Sequence, residues 1–523
     1  MKVYFPLILL VFANLIVGSW ALPGFGESTD ELSQHLYAEG TIQAVKSLFA
    51  TGTFPAYFFE EEPKQGSHGP AFIVAVTLLR DLFLPTGSPF ERLLFSHFMY
   101  FTMFLVGIIS LFFLARRWVS EAAAFGTALL FNTQPILVGH AFMNPKDVVF
   151  MSLFTASTVL GLWMVDRAEN YIQGTSKPLV NGFRSFLGQF LCVDVWLAGL
   201  LLGFSSAIRI AAPLVGIIVL AYILLSRKWH ALTRFLAYGL IAFFFMIVFW
   251  PYLWPDPIGR LIGSILISSR YSDVHLTLFK GMLVDSHQLP RSYLPVLLTV
   301  QLTETTLLFL VVGILSIFRK IHWDLVVLIV IWFALPAGVI IGLRVSLYNN
   351  FRQVFFILPP LFLITGFGLD RLLTIVRRPV TRFLILFLIL LPGLYANVTL
   401  YPYQYIYYNQ IVGGLNGAYR VFELDYWSLA SKEAQAYINQ AAGVNANIFA
   451  GESKPSAQKF ARPDLIFNAF GARKVNLDKY DFMIVTTAKN SDEMFSEFPT
   501  VFEVERQNVP LVYIKKPNSS LLP

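Results

Sequence analysis

Apolar runs close to the ~20 residues that cross a bilayer recur along this chain and constrain its fold more than any other feature. They fall at about 3–22, 93–115, 119–138, 148–165, 195–210, 211–226, 235–252, 293–318, 325–343, 353–375 and 383–398. In hydrocarbon every backbone N–H and C=O must find its partner inside the protein, so such runs fold as helices. Composition agrees: 56% of the 523 residues are hydrophobic and 14% charged, against about 25% charged in soluble domains. The expected fold is an α-helical polytopic membrane protein with about eleven transmembrane helices.

The basic residues test that count. With the N-terminus inside, alternate connections carry Arg116-Arg117, then Arg167, Lys177 and Arg184, then Arg227, Lys228 and Arg234, then Arg319-Lys320, then Arg377-Arg378 and Arg382. All then lie on the cytoplasmic side, as the positive-inside rule requires. The net charge of +7 is thereby spent on orientation, and the bilayer rather than nucleic acid is the expected partner. The run at 70–84 carries Arg80-Asp81 and reads as an interfacial helix, because counting it as a span would invert every later loop. Residues 1–22 also fit a signal peptide loosely, through Ser19-Trp20-Ala21, but only Lys2 supplies a charged start. The single cysteine, Cys192, excludes an internal disulfide.

Hydrophobicity drops at about Thr399. Residues 1–398 are expected to form the transmembrane domain and 399–523 a soluble α/β domain on the outer side. Strand-like runs there are Ala446–Ala450, Tyr480–Val485 and Leu511–Ile514, with a helical pattern over Ser428–Gln440.

The unusual polar residues gather in the outer loops. The first, 23–91, holds Asp30, Glu31, His35, Glu39 and His68-Gly69-Pro70. Leu32, Leu36, Val45, Leu48 and Phe49 give it an amphipathic helix lying on the membrane. Glu31, His35 and Glu39 share a face of that helix; the spacing suits a metal but reads better as a solvated polar stripe. Asp30 and Glu31 are ~100° apart on the helix, so only one can point at a given atom. The next outer loop, Gly139–Asp147, places Lys146 and Asp147 at the head of a span, where Asp147 is either a helix cap or a functional acid at membrane depth. Arg209 lies where two spans meet. It either snorkels to the interface or holds a phosphate, which its planar fork suits. The outer loop 253–292 contributes Arg270 and His275, and the loop after the ninth span contributes Tyr348 and Arg352. Carboxylates, cations and aromatics thus converge on one surface, as a phosphate-bearing amphiphile would need.

Taken in order, Asp30-Glu31, His68-Gly-Pro70, Asn144-Pro-Lys-Asp147, Trp250-Pro-Tyr-Leu-Trp-Pro-Asp-Pro257, Tyr348-Asn-Asn-Phe-Arg352 with Phe356-Ile-Leu-Pro-Pro360, and Tyr401-Pro-Tyr-Gln-Tyr405 resemble a GT-C glycosyltransferase. The similarity is to the dolichyl-phosphate-mannose–protein mannosyltransferase-like branch, which includes bacterial enzymes using polyprenyl-phosphate sugars, and it covers residues 1 to about 430. Gly69 departs from the second Pro or acid found beside His68 in many relatives. The resemblance implies inverting transfer of a sugar from a polyprenyl-phosphate donor to a protein, glycan or lipid acceptor at the extracytoplasmic face. Asp30 would be the general base, with Glu31 beside it. Arg209, Arg352 and Arg270 would neutralise the leaving phosphate. Lys146, Asp147, His68 and Tyr348 would bind substrate. A divalent metal ion, if one is used, has Asp147 and His68 as candidate ligands. A transporter or flippase and a non-catalytic membrane scaffold are the competing expectations; the first requires paired charges near the midplane and two-fold symmetry, neither of which the sequence offers.

Overall fold

The computed structural model describes residues 4–60, 68–173, 182–269, 274–319, 321–376, 378–467 and 477–517. Each of the eleven apolar runs is largely helical. The site depends on α1 (Phe5–Ala21), α2 (Thr29–Thr51), α3 (Ala71–Phe83), α4 (Pro89–Ala115), α5 (Glu121–Asn132), α6 (Pro135–Met143) and α7 (Asp147–Gln173). It also uses α8 (Val193–Ser206), α9 (Leu214–Leu225), α10 (Leu232–Phe249) and α11 (Pro257–Ser269). Among the described residues seven helices are long and apolar enough to span a membrane, and nine spans result if two bent pairs count as one each. The other two expected spans are shorter than a bilayer: α8 has 14 residues and α9 has 12, or about 21 and 18 Å at 1.5 Å per residue. They are short because the apolar run is interrupted by a turn at 207–213 that carries Arg209 and Pro213.

Helix α7 sets the transmembrane scale. Asp147 begins it, and Asp166, nineteen residues on, is ~28 Å away along its axis, close to the ~30 Å hydrocarbon thickness. Asp166 is gripped by Arg117 (2.7 Å), Lys228 (2.7 Å) and the Tyr222 hydroxyl (2.7 Å). Charges therefore pair at both ends of the helix, with apolar packing between.

A side chain at the first bent span satisfies the backbone of the second. α5 and α6 meet at 63°, and Tyr293–Gln301 and Glu304–Ile317 meet at 112°. At the first break Gln134 donates to the Gln301 carbonyl (2.9 Å) and accepts from the Thr303 N–H (3.3 Å) at the second. Asn409 adds bonds to the carbonyls of Thr299 (2.7 Å) and Leu302 (2.8 Å). Breaks at membrane depth are stable only when so satisfied.

The first outer loop corrects one expectation. The stripe Glu31, His35, Glu39 is not a solvated face. Glu31 and His35 are buried, Glu31 against His97 (2.9 Å), His35 against the Tyr100 hydroxyl (3.2 Å), and Glu39 pairs with Arg80 (3.1 Å). Leu32, Leu36 and Phe49 are exposed instead. The helix packs its polar side on the bundle and leaves these apolar side chains outward. α3 does likewise: Leu78, Leu82 and Phe83 are exposed and Arg80 is buried, as befits an interfacial helix.

Beyond residue 400 the chain crosses the top of the bundle and ends in a five-stranded sheet of order β4-β3-β5-β7-β6. Its strands are β3 (Asn447–Phe449), β4 (Ile466–Phe467), β5 (Phe482–Thr486), β6 (Thr500–Arg506) and β7 (Val509–Lys515). β3 pairs parallel with β4 and β5, and β7 pairs antiparallel with β5 and β6. A hairpin that the sequence did not announce, β1 (Leu276–Phe279) with β2 (Met282–Asp285), lies in the outer loop and bridges Phe279 to Phe422.

Candidate active site

Asn144 organises the head of α7. Its Oδ1 accepts from the N–H groups of Lys146 (3.1 Å) and Asp147 (2.8 Å), and its amide donates to the Asp147 carboxylate (3.1 Å). Asn144 is thus the capping residue. The Asp147 side chain turns elsewhere, into a fully buried position where Arg209 binds Oδ1 and Arg352 binds Oδ2 at 2.9 Å.

Arg352 reaches two carboxylates at once. Nη1 goes to Asp147 and Nη2 to Asp30 at 2.9 Å. The planar fork presents a separate nitrogen to each carboxylate. Its side chain is 3% exposed, whereas that of Asp30 is 38% exposed. Burying a charge of this kind is tolerable only when it is paired and hydrogen-bonded. The Trp427 ring covers the guanidinium at 4.6 Å and Tyr348 lies 5.3 Å away; Tyr348 also stacks on His275 with ring centroids 4.1 Å apart.

The adjacent acids of the first loop part company. Asp30 Oδ2 meets Arg352, and Oδ1 has no partner among the described residues. Glu31 is used up structurally: Oε2 takes the Ser28 N–H at 2.6 Å in a capping box, and Oε1 takes His97 at 2.9 Å. A third acid, Glu27, meets Lys459 at 2.9 Å, and burial raises its pKa.

Lys146 makes no ion pair among the described residues. Burial, reinforced by Arg209 and opposed by Asp147, pushes it down to about 8. His68 sits close by: its peptide carbonyl accepts the Tyr37 hydroxyl (2.9 Å), and Nε2 is 3.4 Å from Gln34. Burial first, then Lys146 and Arg209, hold it well below the ordinary histidine range. Gly69 is needed here, since a Cβ would lie 2.0 Å from the Ala207 carbonyl oxygen at the start of the Arg209 turn. These residues do not suit a metal ion. Both Asp147 oxygens are taken by arginines, His68 sits among cations, and among the described residues no group of three His, Cys, Asp or Glu gathers at one point.

The structure therefore brings Asp30, Asp147, Arg209 and Arg352 into one ion-paired cluster, with Lys146, His68 and Tyr348 around it. Arg270 lies outside the described residues. Sequence reasoning missed three contributors. His140 Nε2 meets the Tyr426 hydroxyl at 2.8 Å and its Nδ1 lies 3.0 Å from the Asn144 amide. Trp427 and Asp425 enter from the segment after 420. Asp425 accepts from the Tyr405 hydroxyl and from the Leu429 N–H (2.9 Å), and burial pushes it up to about 7. The only sequence signal for this segment was the acid–aromatic run Glu423-Leu-Asp-Tyr-Trp427, just inside the limit of the family resemblance.

Beside the cluster, a cavity of about 290 Å³ lies between α8, α9, α10 and α11. Leu202, Ser206, Ile210, Pro213, Tyr238 and Leu261 are among its walls. Ser206 and Ile210 flank Arg209, and wall residues along α10 run from Phe235 to Met246, roughly 16 Å of helix. The cavity is apolar along most of its wall and adjoins the turn that carries Arg209.

Comparison with known proteins places this architecture. The fold is similar to that of ArnT from Cupriavidus metallidurans in the apo state, with a TM-score of 0.50 and 13% identity over 99% of this chain and 98% of that one. The same protein bound to undecaprenyl phosphate gives a TM-score of 0.48 and 14% identity over 99% of each chain. No family model and no curated protein sequence matches. The chain is a polytopic membrane protein of the GT-C fold with a small C-terminal sheet.

Proposed function

We propose that this protein is a membrane glycosyltransferase that moves a sugar from a polyprenyl-phosphate donor to an acceptor hydroxyl at the extracytoplasmic face. The observation that carries the reading is the Asp30–Arg352–Asp147–Arg209 cluster, with an apolar cavity lined by Ile210, the neighbour of Arg209 in the chain. A carboxylate for the acceptor proton, cations for a phosphate and a slot for a lipid chain are the parts such a transfer needs. The basic connections, including Arg117 and Lys228 at the far end of α7, support the extracytoplasmic assignment.

The chemistry follows from the contacts. The acceptor oxygen attacks the anomeric carbon as Asp30 Oδ1, which has no partner among the described residues, takes its proton. The bond from that carbon to the phosphate oxygen breaks on the opposite face, so configuration inverts, and the electron pair leaves on the polyprenyl phosphate. Arg209, Arg352 and Lys146 neutralise the charge that develops there. Three cations against two carboxylates, Asp30 and Asp147, leave one positive charge in the described cluster. That matches the single charge of a phosphodiester donor better than the larger charge of a pyrophosphate. The order of motifs favours the mannosyltransferase-like branch, with a hexose or pentose as the sugar.

The test is turnover in proteoliposomes supplied with polyprenyl-phosphate sugars and membrane acceptors, followed by mass. Disappearance of the glycosylated lipid with release of free polyprenyl phosphate is expected. No consumption of any such donor by folded protein would overturn the reading.

A further inference from the structure

The segment after residue 420 is bent at some cost to deliver one side chain. Asp425 and Ser428 both adopt left-handed backbone conformations, with φ of 40° and 56°, which non-glycine residues avoid and which cluster at functional sites. The turn is pinned by the Tyr405 hydroxyl and the Leu429 N–H on the Asp425 carboxylate and by a bond from the Ser428 N–H to the Asp425 carbonyl (2.8 Å). What these bonds hold in place is Trp427, 1% exposed, with its ring over Arg352 and its carbonyl accepting the Thr29 N–H (3.4 Å), one residue before Asp30.

Two donors at this contact have no hydrogen-bond partner among the described residues. They are Trp427 Nε1 and Arg352 Nε, and the amide of Asn350, two residues from Arg352, is a third. Native proteins leave few buried polar groups unpaired, and each asks for an explanation. The two donors at the Trp427–Arg352 contact point to an oxygen-rich anion as their common partner.

We propose that Trp427 is a donor-binding residue: its indole N–H hydrogen-bonds an oxygen of the lipid phosphate while its ring backs the Arg352 guanidinium. This rests on the reading of the site as a polyprenyl-phosphate transferase. The C-terminal portion then completes the phosphate pocket, and the transmembrane bundle without it is an incomplete binding site.

The experiment measures binding of a short-chain polyprenyl phosphate, as thermal stabilisation of the full-length protein in detergent, for wild type and W427H, W427F and W427L. Histidine keeps a ring N–H in a smaller ring, phenylalanine keeps the larger ring without the N–H, and leucine keeps neither. The expected affinity order is wild type, His, Phe, Leu, with W427F weaker than wild type by roughly tenfold to a hundredfold, the range set by a hydrogen bond to a charged acceptor. An order that follows ring area, with Phe above His, overturns the N–H role, as does W427F binding like wild type. Failure of wild type itself to bind polyprenyl phosphate would instead sink the transferase reading.

Discussion

Neighbouring acids at the head of α2 should fail in opposite ways. Asp30→Asn preserves an acceptor for Arg352 and removes only the proton-accepting charge. Its side chain is 38% exposed and its one ion pair is shared with Asp147, so the stability at stake is that of a surface pair, ~0–1 kcal/mol. Transfer should fall ~10²–10⁴-fold, the usual worth of a general base, while donor binding stays near wild type because the loss falls on the transition state. Glu31→Gln removes a fully buried charge that holds the Ser28 N–H and His97. One charge-assisted hydrogen bond weakened there is worth about 1.5–3 kcal/mol, taken from stability rather than from chemistry. Single-turnover conversion of lipid-linked sugar, with the detergent unfolding midpoint measured on the same preparations, reads both effects. Glu31→Gln protein that folds normally but no longer transfers, beside an active Asp30→Asn, would refute the assignment within the pair.

Three further outcomes are expected. Lys146 is held down to about 8, so its charge is present below that pH and lost above it; kcat/KM should fall as pH rises through about 8, and Lys146→Arg should extend the plateau upward. Arg209→Gln and Arg352→Gln should each cut turnover roughly 30- to 1000-fold, as lost charge-stabilising donors do; both strip Asp147 of a partner, but Arg352 is the more buried cation and pairs with two carboxylates, so Arg352→Gln should lose more stability, about 3–5 kcal/mol. In a Cys192→Ser background, cysteine at the exposed Val444 should react with an impermeant maleimide in intact cells and cysteine at the exposed Trp229 should not; the reverse pattern would put the site on the cytoplasmic face.

Helices and strands were legible because hydropathy and β-branching are one-dimensional signals. The expected strands at Ala446–Ala450, Tyr480–Val485 and Leu511–Ile514 lie on β3, β5 and β7. Breaks were less legible. The run 293–318 reads as one span, and only Gln301, Thr303 and Glu304 mark its 112° bend, whose stability comes from Gln134, distant in sequence. Hairpin β6–β7 was missed because its turn is Gln507-Asn508, both at positive φ, without the Asn-Gly signal that marks such turns. The polar stripe of α2 was placed on the wrong side because spacing says which residues share a face and not what that face meets.

The site had the same asymmetry. Asp30, Asp147, Arg209 and Arg352 each stood out as a charge at membrane depth, yet their pairing is tertiary, with Arg352 205 residues from Asp147. On the proposed reading that pairing has a consequence for the order of events. Arg352 has one positive charge to share among Asp30, Asp147 and a phosphate, so a phosphate drawn to its unpaired Nε–H weakens its hold on the carboxylates. Asp147 is buried and bound by a second arginine and by Asn144, whereas Asp30 is half-exposed and bound by nothing else. An arriving phosphate therefore competes with Asp30 and not with Asp147. Donor binding loosens the base from its arginine, and the acceptor proton gains its full acceptor only once the sugar is in place. A membrane transferase with water at its mouth needs that order, since a base free before the donor is seated has no useful work to do.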